Sequence, residues 1–274
     1  EFCIRMQDDY IVGRHHRILA DLLMAIEAGD EDRICVNIPP RHGKSQLVTI
    51  FFPAWFLGRN PNKKVMMVSH TTDLAVDFGR KVRNLISLDD YKAIFPTVKL
   101  AVDSKSAGRW NTKFGGEYYA CGVGSALAGR GADLLLIDDP HSEQDVINGN
   151  FSVFERAYEW YTFGARTRLM PGGRVAIIQT RWHMDDLTGR VTADMVKNEK
   201  SDPFEIIEFP AILDSEDDDG KPIQKPLWPE FFDLEALLRT KSSMPSFQWN
   251  AQYQQQPTAE EASIVKREWW RIWA

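Results

Sequence analysis

The chain has 274 residues, 43% hydrophobic and 26% charged, as in globular proteins with a buried core. Its 33 Lys and Arg against 39 Asp and Glu give a net charge of −6. This argues against a protein that binds nucleic acid over most of its surface, so any DNA contact would have to come from a local basic patch. The three cysteines form no CxxC pair and no apolar run approaches ~20 residues, so we expect a reducing compartment, no zinc site and no membrane span.

Apolar strands alternate with amphipathic helices over residues 1–210, which predicts an α/β fold with a mostly parallel sheet flanked by helices. In chain order, the predicted elements are a helix over 13–29, a strand at RICVNI, a helix over 43–57 kinked at Pro53, a strand over 64–69, a helix over 71–87, strands at EYYACG and DLLLIDD, a helix over 146–163, a strand at RVAIIQT, a helix over 185–197 and a strand at FEIIEF.

The alternation of apolar strands and amphipathic helices ends after residue 210. The stretch DSEDDDGKP is typical of a solvated turn, two helical stretches near 233–241 and 245–254 follow it, and QQQPTAEEAS is typical of a linker. The chain starts at Glu1 without a methionine and stops at REWWRIWA, so we expect the natural protein to be longer.

The strongest chemical motif is NIPPRHGKSQ, residues 37–46, between the predicted strand at RICVNI and a predicted helix. Gly43, Lys44 and Ser45 end it as a phosphate-binding loop ends: the glycine lets the backbone curl, the lysine reaches the β- and γ-phosphates and the serine hydroxyl binds Mg²⁺. The usual opening glycine is replaced by Ile38. A chance surface turn that contains GKS is the alternative.

A second motif supports the first. The strand DLLLIDD ends in Asp138 and Asp139, where one carboxylate can hold Mg²⁺ beside phosphates and the next can orient the attacking water. We assign the metal to Ser45 and Asp138, and the water to Asp139. Glu143, one helical turn on, is a second candidate for the water. A plain helix start at Asp139 is the alternative.

Other polar residues are weaker candidates. Gln179 and Thr180 end the strand at RVAIIQT, so either can sense the γ-phosphate, or they only cap the strand. Arg130 lies between glycines and can project toward a transferred phosphate, or it is a surface arginine. On the helix over 13–29, Arg14, His15 or His16 can touch an adenine base, although core packing explains that helix fully.

The stretch FGARTRLMPGGR holds Arg166, Arg168 and Arg174 around a Pro-Gly-Gly turn. It is the best local basic patch of the chain and can follow a DNA backbone. A solvated turn accounts for it equally well.

Taken in order, the motifs resemble those of the large subunit of phage terminase. These motifs are HHRIL, PPRHGKS, FPAWFLGRNP, RWNT, GRGADLLLIDDP, TRLMPGGRVAIIQTRWHMDDLTGR and QWNAQYQQQP. The resemblance implies a RecA-like P-loop NTPase core with a small C-terminal lid, ATP and Mg²⁺ as cofactors, and nucleotide contacts along the loop at Arg41, His42 and Gln46. Arg41 stands where such loops carry an arginine that acts in catalysis, and an arginine like Arg130 can act on a neighbouring subunit.

The resemblance also implies a function. It is that of an ATP-hydrolysing motor that moves double-stranded viral DNA into a procapsid, as a homo-oligomeric ring on the portal protein, with a small terminase subunit as partner, in the host cell cytoplasm during virus assembly. We expect an ATPase core over 1–210, a lid over 211–256 and, over 257–274, the start of a linker to a C-terminal nuclease domain that this chain lacks. A helicase-like DNA-remodelling ATPase and a weakly hydrolysing assembly module remain alternatives.

Overall fold

The computed structural model describes residues 1–102, 106–217 and 219–258. Its main sheet has seven strands, which are β1 (Arg33–Asn37), β2 (Lys64–Ser69), β3 (Arg109–Asn111), β4 (Glu117–Gly122), β5 (Ala132–Asp138), β6 (Leu169–Gln179) and β7 (Glu205–Glu208). They lie in the order β3-β4-β2-β5-β6-β1-β7. Every neighbouring pair is parallel except β3 with β4, so the expected mostly parallel sheet is confirmed.

Helices cover both faces of this sheet. They are α1 (Phe2–Met6), α2 (Arg14–Ala28), α3 (Phe52–Arg59), α4 (Thr72–Ile86), α5 (Asp89–Ile94), α6 (Glu143–Ile147), α7 (Ser152–Glu159) and α8 (Leu187–Lys197), with π-helical turns at Gln46–Phe51 and Trp160–Ala165. Successive strand residues face opposite sides, so Val36 packs in the apolar cluster beneath α2 to α4, while Cys35 packs in the cluster beneath α8. The continuous apolar strands follow from this two-sided burial.

Two predicted boundaries were wrong, and one predicted helix differs in type. The helix expected over 146–163 is broken, because α6 ends before the turn at Gly149, which has φ +67°, and α7 begins at Ser152. The helix expected over 43–57 is present, since the chain is helical without a break over 44–59, but Gln46–Phe51 forms a π-helical turn and Pro53 lies in the first turn of α3. Strand β6 starts early, at Leu169, and its pairing with β5 shifts register past the exposed Pro-Gly-Gly segment.

The chain after β7 forms a smaller layer. It contains the antiparallel hairpin of β8 (Ile212–Glu216) and β9 (Pro222–Pro226), then α9 (Leu234–Ser242) and α10 (Ser246–Gln252). Its own apolar cluster includes Leu237 and Trp249. Within the part of the chain that the structure describes, no helix is long and apolar enough to cross a membrane. Residues 259–274, most of the predicted linker, lie outside that part.

Two contacts fix this layer to the edge of the main sheet. The Phe209 backbone N–H donates to the Asn37 carbonyl at the end of β1 (2.9 Å), and the Arg181 backbone N–H donates to Gln255 Oε1 (3.2 Å). Both contacts lie at the carboxyl ends of strands. The layer therefore stands beside that edge, where polar side chains gather.

Candidate functional site

A cleft of about 830 Å³ lies at the carboxyl ends of the central strands, where open α/β sheets bind their ligands. The loop after β1, the segment after β5 and the end of β6 form its base, and residues after β9 and in α10 border it. Strands β5, β6 and β1 are neighbours in the sheet, so their ends meet here although the sequence separates them widely.

Lys44 is the central group of the site. Its Nζ lies 2.9 Å from Thr180 Oγ1 and 3.0 Å from Asp139 Oδ2, and the residue is only 6% exposed. Two strand ends therefore enclose this lysine, although it lies at the start of a helical turn. An ammonium has three N–H donors, and these contacts use two, so one donor is left for a ligand.

The loop that carries Lys44 rests on buried histidines. The Nδ1 of His16 accepts the Gly13 backbone N–H (3.0 Å), so its Nε2 is the donor to the His42 carbonyl (3.1 Å). The Nε2 of His15 contacts the same carbonyl at 3.0 Å. His16 is 2% exposed and its ring packs edge-on against Trp228, so the expected contact between His16 and an adenine base was wrong. Burial lowers the pKa of His16 to about 4.

The glycine of the loop is required by this packing. Gly43 has φ +77°, and a Cβ there would lie 2.3 Å from His16 Nε2. Arg41 also has a positive φ, +64°, which is costly for a residue with a side chain and is found mostly at functional sites. Arg41 is exposed and borders the cleft, as expected for a residue that meets a ligand or a neighbouring subunit.

Of the other two predicted loop residues, His42 points away from the cleft and Gln46 borders it. The His42 ring is fully buried, stacks on Phe232 and contacts the Pro40 carbonyl through Nδ1 (2.9 Å), so the side chain is turned away from the cleft and only its backbone can face a ligand. Burial lowers its pKa to about 4. Gln46 does border the cleft, and its amide donates to the side chain of Gln7.

The predicted metal pair lies together. Asp138 is 2% exposed, the Ser45 side chain lies close enough to affect its pKa, and its Oδ1 has no partner among the described residues. Burial, and next the Asp139 carboxylate, raises the pKa of Asp138. A hydroxyl and one buried carboxylate with an unpaired oxygen fit Mg²⁺, which takes few protein ligands and completes its shell with phosphate oxygens and water. Among the described residues, no cluster of three His, Cys, Asp or Glu offers another metal site.

Both candidate acids border the cleft. Asp139 has φ +42°, and its Oδ1 accepts the Thr180 backbone N–H (2.8 Å) while Oδ2 pairs with Lys44. Glu143 is exposed in the first turn of α6 and borders the same space. Asp139 is thus held by two partners, and Glu143 faces the solvent of the cleft.

Gln179 and Thr180, the two candidates at the end of β6, face different surroundings. Thr180 borders the cleft and accepts from Lys44, while the Gln179 amide donates to Thr188 Oγ1 on α8 (2.7 Å). Gln179 is fully buried and its side chain does not border the cleft, so its expected contact with the γ-phosphate was wrong. Successive strand residues face opposite sides, which is why only one of the two can reach the site.

Arg130 lies far from the cleft of its own chain. It precedes Ala132 at the start of β5, whereas Asp138 ends β5, and a strand of that length spans about 20 Å. Its Nη1 is 3.3 Å from Glu117 Oε1, and its guanidinium stacks 4.0 Å from the centre of the Tyr119 ring. The prediction that the Arg130 side chain projects freely was therefore wrong. At this distance Arg130 does not reach Asp139 of its own chain.

The predicted basic patch is largely paired. Arg166 forms an ion pair with Asp202, and Arg174 donates to the Glu27 carbonyl (2.7 Å). Arg166 and Arg174 thus both have partners within the chain.

Several residues of the cleft were not found by reasoning from the sequence. They are His70, His141, Trp182, Trp228, Phe231 and Tyr253. The aromatic residues come mostly from the segment after β9. No sequence motif indicates where this segment lies relative to the loop. His141 follows the acidic pair directly, and that adjacency is the one signal that could have found it.

The strand order, the loop after β1 and the acidic pair after β5 together define a P-loop protein with a RecA-like fold. Residues 35–272 match the family model described as terminase large subunit, T4likevirus-type, N-terminal. The chain therefore belongs to this family. No curated protein sequence matches the chain significantly.

Solved structures agree with this fold. The large terminase ATPase domain of Thermus phage P74-26, in an arginine-to-alanine mutant, is similar with a TM-score of 0.53 and 16% identity over 86% of this chain and 93% of that one. The HK97 bacteriophage large terminase gives 0.54 and 15%, over 90% of this chain and 51% of that one. The large terminase of a thermophilic bacteriophage, in complex with ATP-gamma-S, gives 0.52 and 11%, over 87% and 51%. This chain thus spans about half the length of the latter two proteins.

The packing of His16 against Gly43 gives a prediction about stability. Gly43→Ala should lower the free energy of unfolding by at least about 1 kcal/mol more than Gly124→Ala. Both glycines have positive φ, +77° and +85°, but only the Cβ at 43 meets an atom within 4 Å. Denaturant unfolding of the two variants measures the difference. Equal losses would show that the His16 ring does not constrain the loop.

Proposed function

We propose that the chain is the ATP-hydrolysing motor domain of a viral DNA-packaging terminase, which moves double-stranded DNA into a procapsid. The proposal rests mainly on the position of Lys44, which Asp139 and Thr180 hold at the mouth of a loop whose glycine has a positive φ and packs against His16. The large terminase of the same fold from a thermophilic bacteriophage, in complex with ATP-gamma-S, supports the choice of nucleotide.

The phosphates of ATP would lie along the loop. Backbone N–H groups at the start of the π-helical turn after Ser45 favour negative charge, and the third donor of Lys44 can bond a phosphate oxygen. Ser45 and Asp138 would hold Mg²⁺, which supplies positive charge to the β- and γ-phosphates. A cation would also offset the cost of ionising Asp138 in its buried position.

Either Asp139 or Glu143 would orient the attacking water. A phosphate that draws Lys44 toward itself loosens the ion pair of Asp139 and exposes its Oδ2 to water. Glu143 needs no such release, because it is exposed at the cleft. The two acids are therefore rivals for one role, and mutation separates them.

Arg130 would act on the site of a neighbouring subunit. It lies at the opposite end of β5 from its own acidic pair, so it can complete a site only by meeting another copy, as it would in a ring. This arrangement supports a homo-oligomeric ring, which we place on the portal protein, with the small terminase subunit and viral DNA as further partners, in the host cell cytoplasm during virus assembly.

The first prediction from this proposal concerns hydrolysis. Lys44→Met should lower kcat/KM for ATP by at least ~100-fold, since the variant keeps the buried stem but removes the ammonium that follows the phosphates. Because Asp139 then loses its cation, some stability is lost as well, and unfolding curves must show that the variant is folded. Lys92→Met, at an exposed lysine on α5, is the control. Undiminished turnover by folded Lys44→Met protein would refute the nucleotide site.

The second prediction concerns the acids. Asp138→Asn should weaken Mg²⁺-dependent ATP binding. Asp139→Asn also loses the ion pair with Lys44 and some stability, but it should still bind ATP and should block turnover, because the carboxylate that activates water is lost. Binding titrations with and without Mg²⁺, beside steady-state turnover, distinguish the two effects. If Asp139→Asn stays fully active while Glu143→Gln is inactive, the water-orienting acid is Glu143.

The third prediction tests action between subunits. Turnover per subunit should rise with protein concentration, and Arg130→Ala should bind ATP yet lose about 10³-fold in rate. Mixing it with Lys44→Met should restore part of the activity at junctions that combine an intact loop with an intact arginine. Arg109→Ala is the matched control, because Arg109 pairs with the same Glu117 (2.8 Å). Turnover per subunit that stays flat on dilution would exclude action between subunits.

A further inference from the structure

His141 is a buried polar residue at the wall of the cleft that the proposed mechanism has not used. It follows Asp139 and Pro140, borders the cleft and is only 4% exposed. Its ring packs edge-on against Phe154 of α7 at 4.8 Å between ring centres. This contact restricts the position of the ring.

The hydrogen bonding of the ring fixes the place of its proton. The Leu187 backbone N–H, in the first turn of α8, donates to His141 Nε2 at 2.9 Å. A nitrogen that accepts carries no proton, so the neutral ring is protonated at Nδ1. That Nδ1 is buried and has no partner among the described residues. A buried N–H donor without an acceptor costs free energy, and such a group in a native site calls for an explanation.

The ring of His141 is neutral at neutral pH. Burial, together with the guanidinium of Arg181, lowers the pKa of His141 to about 4, although the carboxylates of Asp186, Asp139 and Asp145 oppose this shift. At neutral pH the ring therefore offers one N–H without adding a charge. Among these carboxylates Asp139 is the one that also borders the cleft, and Lys44 and the Thr180 backbone N–H already bond its oxygens.

We propose that His141 is a specificity-determining residue of the nucleotide site, whose Nδ1–H donates to an oxygen of the γ-phosphoryl group. This rests on the proposed ATP site. Lys44 and Glu143 border the same cleft as His141, and the segment that carries His141 connects the acidic pair to Glu143. The γ-phosphoryl group is the part of ATP that ADP lacks, so His141 would distinguish the two nucleotides, and its bond to Leu187 would connect that distinction to α8.

Two amide variants separate this role from a structural one. A glutamine reaches the position of Nε2 and can still accept the Leu187 N–H, but leaves no donor at Nδ1. An asparagine places an amide donor near Nδ1 and loses the acceptor for Leu187. His141→Gln thus removes the proposed contact, and His141→Asn removes the contact with α8.

The experiment measures the Kd of ATP-gamma-S and of ADP, with Mg²⁺, for the 274-residue chain and both variants. His141→Gln should weaken ATP-gamma-S binding about 10- to 100-fold and change ADP binding by less than about 2-fold, since one hydrogen bond to a charged group is lost. His141→Asn should keep more of the preference for ATP-gamma-S while its unfolding midpoint falls. If His141→Gln keeps the full preference, or if His141→Asn is the variant that loses it, His141 only caps α8 and the inference is overturned.

Failure of this inference and failure of the ATP site give different results. If the parent chain binds neither nucleotide, the proposed function is wrong and the inference falls with it. If the parent prefers ATP-gamma-S, and Lys44→Met loses the preference but His141→Gln does not, only the inference is wrong. Should His141→Gln fail to fold, ¹⁵N-labelled histidine in the parent gives the same test. The Nδ1 resonance of His141 must then shift with ATP-gamma-S and not with ADP, and equal shifts would overturn the inference.

Discussion

The ion pair between Lys44 and Asp139 joins three strand ends that are distant in the sequence. Lys44 follows β1, Asp139 follows β5 and Thr180 follows β6, and the ammonium contacts both partners within 3.0 Å. Removing one member of a buried pair generally costs about 3–5 kcal/mol, and the partial exposure of Asp139 reduces that cost here. The pair therefore shapes the cleft, and a phosphate that competes for the ammonium changes the contacts of all three strand ends at once.

The loop itself depends on a layer that lies behind it. Two histidines of α2 contact one loop carbonyl, that of His42, and the ring of His16 occupies the space where a residue other than glycine would place its Cβ. Trp228, from beyond β9, packs on both histidines. The smaller C-terminal layer thus supports the phosphate loop from outside the main sheet. A displacement of that layer would therefore move the loop directly.

The parts of this architecture that follow local rules could be predicted from the sequence. Six of the seven strands of the main sheet, the loop at Gly43 and the acidic pair each have a local pattern, and the structure has them at those places, whereas β3 and the hairpin of β8 and β9 were not predicted. The burial of Lys44 could not be predicted, because it depends on strand order, which brings Asp139 and Thr180 to one edge. The same holds for His16, which is covered by Trp228 some two hundred residues later. Strand alternation, by contrast, is a local rule, and it is sufficient to separate Gln179 from Thr180.

The central claim is that this cleft holds a nucleotide by its β- and γ-phosphates. An experimental structure of the chain with ATP-gamma-S and Mg²⁺ tests it most directly. We expect the terminal phosphate within hydrogen-bond distance of Lys44 Nζ, the metal at the Ser45 hydroxyl beside Asp138, and a longer distance between Lys44 and Asp139. A nucleotide bound elsewhere on the chain, or bound in this cleft with Lys44 still paired to Asp139 and away from the phosphates, would contradict it.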